Sequence, residues 1–155
     1  MNIILEFEYS LEELSNLSKK IAYETKQGDI FLLKGDLGVG KTTFTRFFIN
    51  SLYDINKILK PKTIKSPTFP IMINYPLLDY EIYHYDLYRL QDKSELIEIG
   101  FLEENNKNIS IIEWPDIILE NFTLRKFYLL KFEFIDSNNR YLQVQHSEKK
   151  QLLCL

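Results

Sequence analysis

Gly35-Asp36-Leu37-Gly38-Val39-Gly40-Lys41-Thr42 is the stretch of this chain whose residue types and spacing could do chemistry. It fits G-x-x-x-x-G-K-[ST] in full, the pattern of a loop that wraps phosphate. Gly35, Gly38 and Gly40 permit backbone angles that turn successive N–H groups toward one anion, and a following helix would aim its positive end at the same point. Lys41 would add a point charge for the β- and γ-phosphates. The Thr42 hydroxyl suits a magnesium ion, and Thr43 stands where it can meet the α-phosphate. Three of the chain's five glycines fall in this loop, which sets it apart from an ordinary glycine-rich turn. The expected cofactors are ATP and Mg2+, with Leu37, Gly38, Val39, Gly40, Lys41, Thr42 and Thr43 in contact with the nucleotide.

Such a loop needs a carboxylate at the end of a neighbouring strand, to hold magnesium or to polarise water. Glu113 closes the apolar run Ile109-Ser110-Ile111-Ile112, and Asp86 lies within His84-Tyr85-Asp86-Leu87-Tyr88-Arg89. The expected catalytic residues are therefore Lys41, Glu113 and Asp86, and the metal-side residues Thr42, Glu113 and Asp86. Blander readings stand beside these: a solvated strand end for Glu113, and a surface ion pair with Arg89 for Asp86. His84 suits a packed strand position as well as a functional one. Trp114 suits the core as well as the nucleotide's surroundings. No Cys/His cluster has metal-ligand spacing, and nothing resembles a serine or cysteine nucleophile with its base.

The elements that must position these residues can be read from periodicity. Residues 3–7 read as a strand, and Ser10 with Glu13 forms a capping-box pattern ahead of Leu11, Leu14, Leu17 and Ile21. The apolar run 30–33 reads as a strand buried on both faces and leads straight into the glycine loop. Phe44, Phe47 and Phe48 then share one helical face. Residues 56–66 carry Lys57, Lys60, Lys62, Lys65 and Pro61, a basic and irregular connection expected to be mobile. Residues 69–75 and 81–87 suggest an antiparallel hairpin, 92–99 a short helix ended by Gly100, and 109–112 a second buried strand. Residues 125–135 and 140–146 suggest a last hairpin turned by Asp136-Ser137-Asn138-Asn139. The fold class is α/β, a P-loop NTPase-like three-layer arrangement with a small mixed sheet, in a single domain over residues 1–155.

The chain has 155 residues, 45% of them hydrophobic, enough to bury a core without disulfide or metal support. A net charge of -3 argues against a protein that grips nucleic acid unaided. The single cysteine, Cys154, points to a reducing compartment, and no stretch approaches the length of a membrane span. A cytoplasmic protein with no membrane partner is expected. ATP is favoured over GTP, because Asn106-Lys107-Asn108-Ile109 lacks the Asp of an N-K-x-D guanine reader and precedes its strand.

Several segments together resemble the TsaE (YjeE) family of ATPases in bacterial tRNA threonylcarbamoyladenosine synthesis. They are the loop through Thr43-Phe44, Ser66-Pro67-Thr68-Phe69, His84-Tyr85-Asp86-Leu87-Tyr88-Arg89-Leu90, Glu95-Leu96 with Gly100, and Ile112-Glu113-Trp114-Pro115. The resemblance implies an ATP hydrolase, slow alone, that associates with TsaD and TsaB and meets tRNA only through them. It implies Thr42 and Glu113 on the magnesium side, Asp86 as a second acidic group, and Ser66, Pro67 and Thr68 as a switch-like loop. It also implies Trp114 close to the nucleotide, with Leu11 and Arg140 flanking the adenosine. Two other readings remain open on the residues alone: a small-molecule or nucleotide kinase, and a module that binds ATP without much hydrolysis.

Overall fold

The computed structural model describes residues 1–101, 107–124, 126–136 and 139–148. β1 (Asn2–Tyr9) runs into α1 (Leu11–Glu24), and the capping box is formed: the Ser10 side chain accepts from Glu13 N while Ser10 N donates to Glu13. β2 (Ile30–Lys34), the glycine loop and α2 (Lys41–Ile55) follow in the expected order. β3 (Met72–Pro76) and β4 (Glu81–Asp86) form the first hairpin, α3 (Lys93–Glu98) is capped by Asp92, and β5 (Ile109–Glu113) comes next. α4 (Asp116–Asn121), β6 (Tyr128–Phe134) and β7 (Arg140–His146) complete the described chain.

The strands join one sheet of seven in the order β1-β7-β6-β2-β5-β4-β3. β6, β2, β5 and β4 are parallel, while β3, β7 and β1 are each antiparallel to a neighbour. Residues alternate across the central strands as the pleat requires. Phe31, Leu33, Ile109 and Ile111 pack on one face with Phe44, Phe48 and Ile49 of α2 and Leu14, Leu17 and Ile21 of α1. Ile30, Leu32 and Ile112 pack on the other, with Leu96 of α3 and Ile118 of α4. Helices thus cover both faces, so β2 is buried over its first four residues and β5 throughout.

Three stretches differ from the reading of the sequence. β3 begins at Met72 rather than near residue 69, because Pro70 has no N–H to give a ladder and Ile71 is left-handed with φ 62. The lysine-rich connection carries anchors that its composition does not show: Ile64 and Pro67 are buried, and Arg46 Nε donates to Ile64 O at 2.9 Å. α4 was not expected, since its 6 residues are too few to show a helical period and only Ile118 is buried. The Ser137 and Asn138 positions of the last turn, with Asn106, Arg125 and the segment from 149 that includes Cys154, lie outside the described residues. Among those described, no helix is long and apolar enough to cross a membrane.

Candidate functional site

β2 carries the chain to the C-terminal edge of the parallel strands, where the glycine loop turns it into α2. Gly35 and Gly40 are required there. A Cβ on Gly35 would lie 2.4 Å from Phe132 O, and one on Gly40, at φ +126, would lie 2.9 Å from the Tyr9 hydroxyl. That hydroxyl donates to Val39 O at 2.8 Å, so the end of β1 braces the loop, and burial pushes its pKa up to about 12.

Lys41 opens α2 and is only 4% exposed. Its Nζ donates to Gly35 O at 2.6 Å and Asp36 O at 2.8 Å, and lies 3.9 Å from the centre of the Trp114 ring. Burial lowers the ammonium's pKa, while the Glu113, Asp86 and Asp36 carboxylates pull it back up. Trp114 reaches this position with φ 59, a left-handed conformation for a non-glycine residue of the kind that gathers at functional sites. Its N–H donates to Leu33 O at 3.2 Å, and the Tyr88 ring lies 4.7 Å from its own.

Glu113 ends β5 and is 2% exposed. Its Oε2 accepts from Thr42 Oγ1 at 2.9 Å, and its Oε1 is 2.8 Å from His84 Nε2 on β4. Asp86 stands directly beside it, since the two are register partners at the ends of β4 and β5. Asp86 Oδ2 accepts from the Ser66 hydroxyl and Oδ1 from Tyr88 N at 3.1 Å, while Thr68 Oγ1 lies 3.5 Å from Ser66 Oγ. Among the described residues Asp86 makes no ion pair with Arg89, whose guanidinium lies 5.0 Å from the Phe69 ring centre instead. Glu113 is likewise not a solvated strand end.

A cavity of about 420 Å³ brings together Leu37, Gly38, Gly40, Lys41, Thr42 and Thr43. Ser66, Thr68, Asp86, Glu113 and Trp114 line the same space. An adjoining cavity of about 330 Å³ shares Gly38, Gly40 and Thr43 and adds Leu11, Val39 and Arg140. Pro67 is buried and lines neither. The reading of the sequence missed Tyr9 and left His84 undecided. Only the alternation of His84 with Asp86 along one strand could have placed that ring beside Glu113.

A loop of backbone N–H groups, a buried ammonium, a threonine hydroxyl and two adjacent carboxylates can serve a polyanion and a divalent cation together. A family model described as "Threonylcarbamoyl adenosine biosynthesis protein TsaE" matches residues 9–147, from Tyr9 through both carboxylates to Arg140. The chain belongs to the TsaE family. Among TsaE proteins, it is similar to the tRNA threonylcarbamoyladenosine biosynthesis protein TsaE of Rickettsia conorii, 40% identical over 144 residues that span 92% of this chain and 79% of that protein. It is 31% identical over 144 residues to the TsaE of Bacillus subtilis, covering 92% of this chain and 86% of that one. In fold it is similar to the crystal structure of Bacillus subtilis YdiB, with a TM-score of 0.66 and 26% identity over 90% of this chain and 83% of that chain.

Proposed function

We propose that this TsaE-family chain is a magnesium-dependent ATPase that supports threonylcarbamoyladenosine modification of tRNA by acting on an assembly of TsaB and TsaD. The observation that carries the reading is the bond from Thr42 Oγ1 to Glu113 Oε2, which sets a hydroxyl and a buried carboxylate together behind the glycine loop. With helices on both faces of the sheet, that loop supports a P-loop NTPase-like fold over a single domain of residues 1–155.

The residues fit ATP and magnesium. A Cβ on Gly38 would meet nothing within 4 Å, so the loop has open space where a phosphate would lie. Among the described residues no three His, Cys, Asp or Glu side chains gather as a metal site. Magnesium, which takes one or two carboxylates plus phosphate oxygens, suits that set better than an ion needing an all-protein cage. Thr42, Glu113 and Asp86 would hold it, and when bound it supplies neutralisation of the phosphate charge. Lys41 holds the β- and γ-phosphates, while Glu113 keeps a fixed negative charge toward the attacking water. Leu11 and Arg140 flank the adenosine from the adjoining cavity, Trp114 covers Lys41, and Ser66, Pro67 and Thr68 act as the switch.

The net charge of -3 supports contact with tRNA only through partners, and a cytoplasmic setting follows from that work. The test is phosphate release and nucleotide titration on the purified chain, then binding of purified TsaB and TsaD with ATP analogue or ADP. Absence of nucleotide binding would sink the reading. Transfer of phosphate to a small-molecule acceptor instead of water would make the chain a kinase.

A further inference from the structure

We propose that His84 is a positioning residue that fixes the plane of the Glu113 carboxylate, and with it the direction in which the acid faces the glycine loop. The proposal rests on the magnesium-dependent ATPase reading above. A glutamate's terminal torsion is broad, so one bond to Thr42 leaves the plane of the carboxylate free to swing. The second bond, between His84 Nε2 and Oε1 at 2.8 Å, holds that plane while the other oxygen stays beside Thr42.

The strands supply the placement. His84 is in register with Ile111, two residues before Glu113 on the parallel neighbour, so the two side chains share a face as diagonal neighbours. Both are walled off from water, His84 at 0% exposure and Glu113 at 2%. Toward an ionised carboxylate, which can only accept, the imidazole donates through Nε2. Among the described residues the other ring nitrogen, Nδ1, is buried with no partner. An apolar side chain would fill this slot without that desolvation cost, as Ile82 does two residues earlier on the same face. Among the described residues the imidazole therefore has one polar contact, and that contact is Glu113.

The position of the donating atom gives a sharp test. A glutamine amide nitrogen can reach where Nε2 stands, whereas asparagine reaches only the depth of Nδ1. His84→Gln, His84→Asn and His84→Leu are compared with the unaltered chain in two measurements. The first is titration with ATP and with ADP, with and without magnesium, followed by the fluorescence of Trp114, the only tryptophan in the sequence and 3.9 Å from Lys41 Nζ. The second is steady-state phosphate release, separated into kcat and KM.

With His84→Leu and His84→Asn, the gain in nucleotide affinity from magnesium and kcat should both fall by about 10- to 100-fold, the usual loss when a partner of a metal ligand is removed. Affinity without magnesium should stay level, since the loop and Lys41 are untouched. His84→Gln should recover both quantities. If His84→Leu does not fold, the contrast between glutamine and asparagine decides alone. Equal losses for those two would make His84 a packing residue, and no loss in any variant would show that Glu113 needs no second anchor. Either result overturns the proposal. An unaltered chain that shows no magnesium-dependent fluorescence change and no phosphate release would overturn the ATPase reading itself, and the proposal with it.

Discussion

Glu113 and Asp86 close adjacent strands and stand in register, yet different parts of the molecule grip them. Glu113 is held by the framework, through a ring on β4 and a hydroxyl in the first turn of α2. Asp86 is half-buried and held by connections, through Ser66 on one side and the N–H of Tyr88 on the other. A carboxylate fixed by strand and helix takes its position once the core has formed. One fixed by loops shares its position with whatever those loops do. A ligand shifts such an equilibrium only by binding the two arrangements unequally. Of the pair, Asp86 has the direct route outward, through Ser66 to the exposed Thr68 and Phe69.

The largest effect is expected at Lys41, the cation that both carboxylates face. Lys41→Ala should weaken ATP binding by roughly 100-fold, the scale of losing a charge-assisted contact to phosphate, and a titration of the folded variant reads it. Undiminished affinity would place the phosphates elsewhere. Next in size, Glu113→Gln should keep ATP while lowering kcat by about 100- to 1000-fold, as when a preorganised charged group is lost from a water-excluded site. Asp86→Asn should cost only about tenfold in the same phosphate-release assay. Were Asp86→Asn the more damaging, the framework carboxylate would not be the principal one. Ser66→Ala leaves Glu113 untouched and should reduce turnover by about 2- to 10-fold, the worth of one hydrogen bond. The smallest signal is in hydrogen exchange across residues 60–70, which ATP analogue with magnesium should slow more than ADP does. Identical protection in both states would remove the loop side of the comparison.

Much of this arrangement is legible in the sequence because its cause is local. The capping box of Ser10 and Glu13, the run 30–33, the glycine loop and the helix behind it each depend on neighbours a few residues away. Glu113 could be named because a buried strand ending in an acid is itself a pattern. What was not legible depends on distant partners. His84 looks like any strand residue until β4 is known to lie against β5, 29 residues further along. The start of β3 was misplaced because the left-handed Ile71 answers to the loop around it, and β-branched residues otherwise suit strands. Tyr9 gave no sign of its role, since its acceptor Val39 is 30 residues away.

Among the described residues, that tyrosine sits on a strand whose only ladder partner in the sheet is β7, from Asn2 opposite His146 to Tyr9 opposite Arg140. A ribosome delivers β1 first and β7 after every other strand described here. While the chain is being made, the phosphate motif has already emerged in full by residue 42, but the strand that must hold Tyr9 in place has not. Until residues 140–146 are made, β1 has no β7 ladder to seat Tyr9 against Val39 O. For most of its synthesis, then, the nascent chain carries the motif without the finished pocket. The brace on Val39 is thus among the last contacts of the loop that the order of synthesis allows.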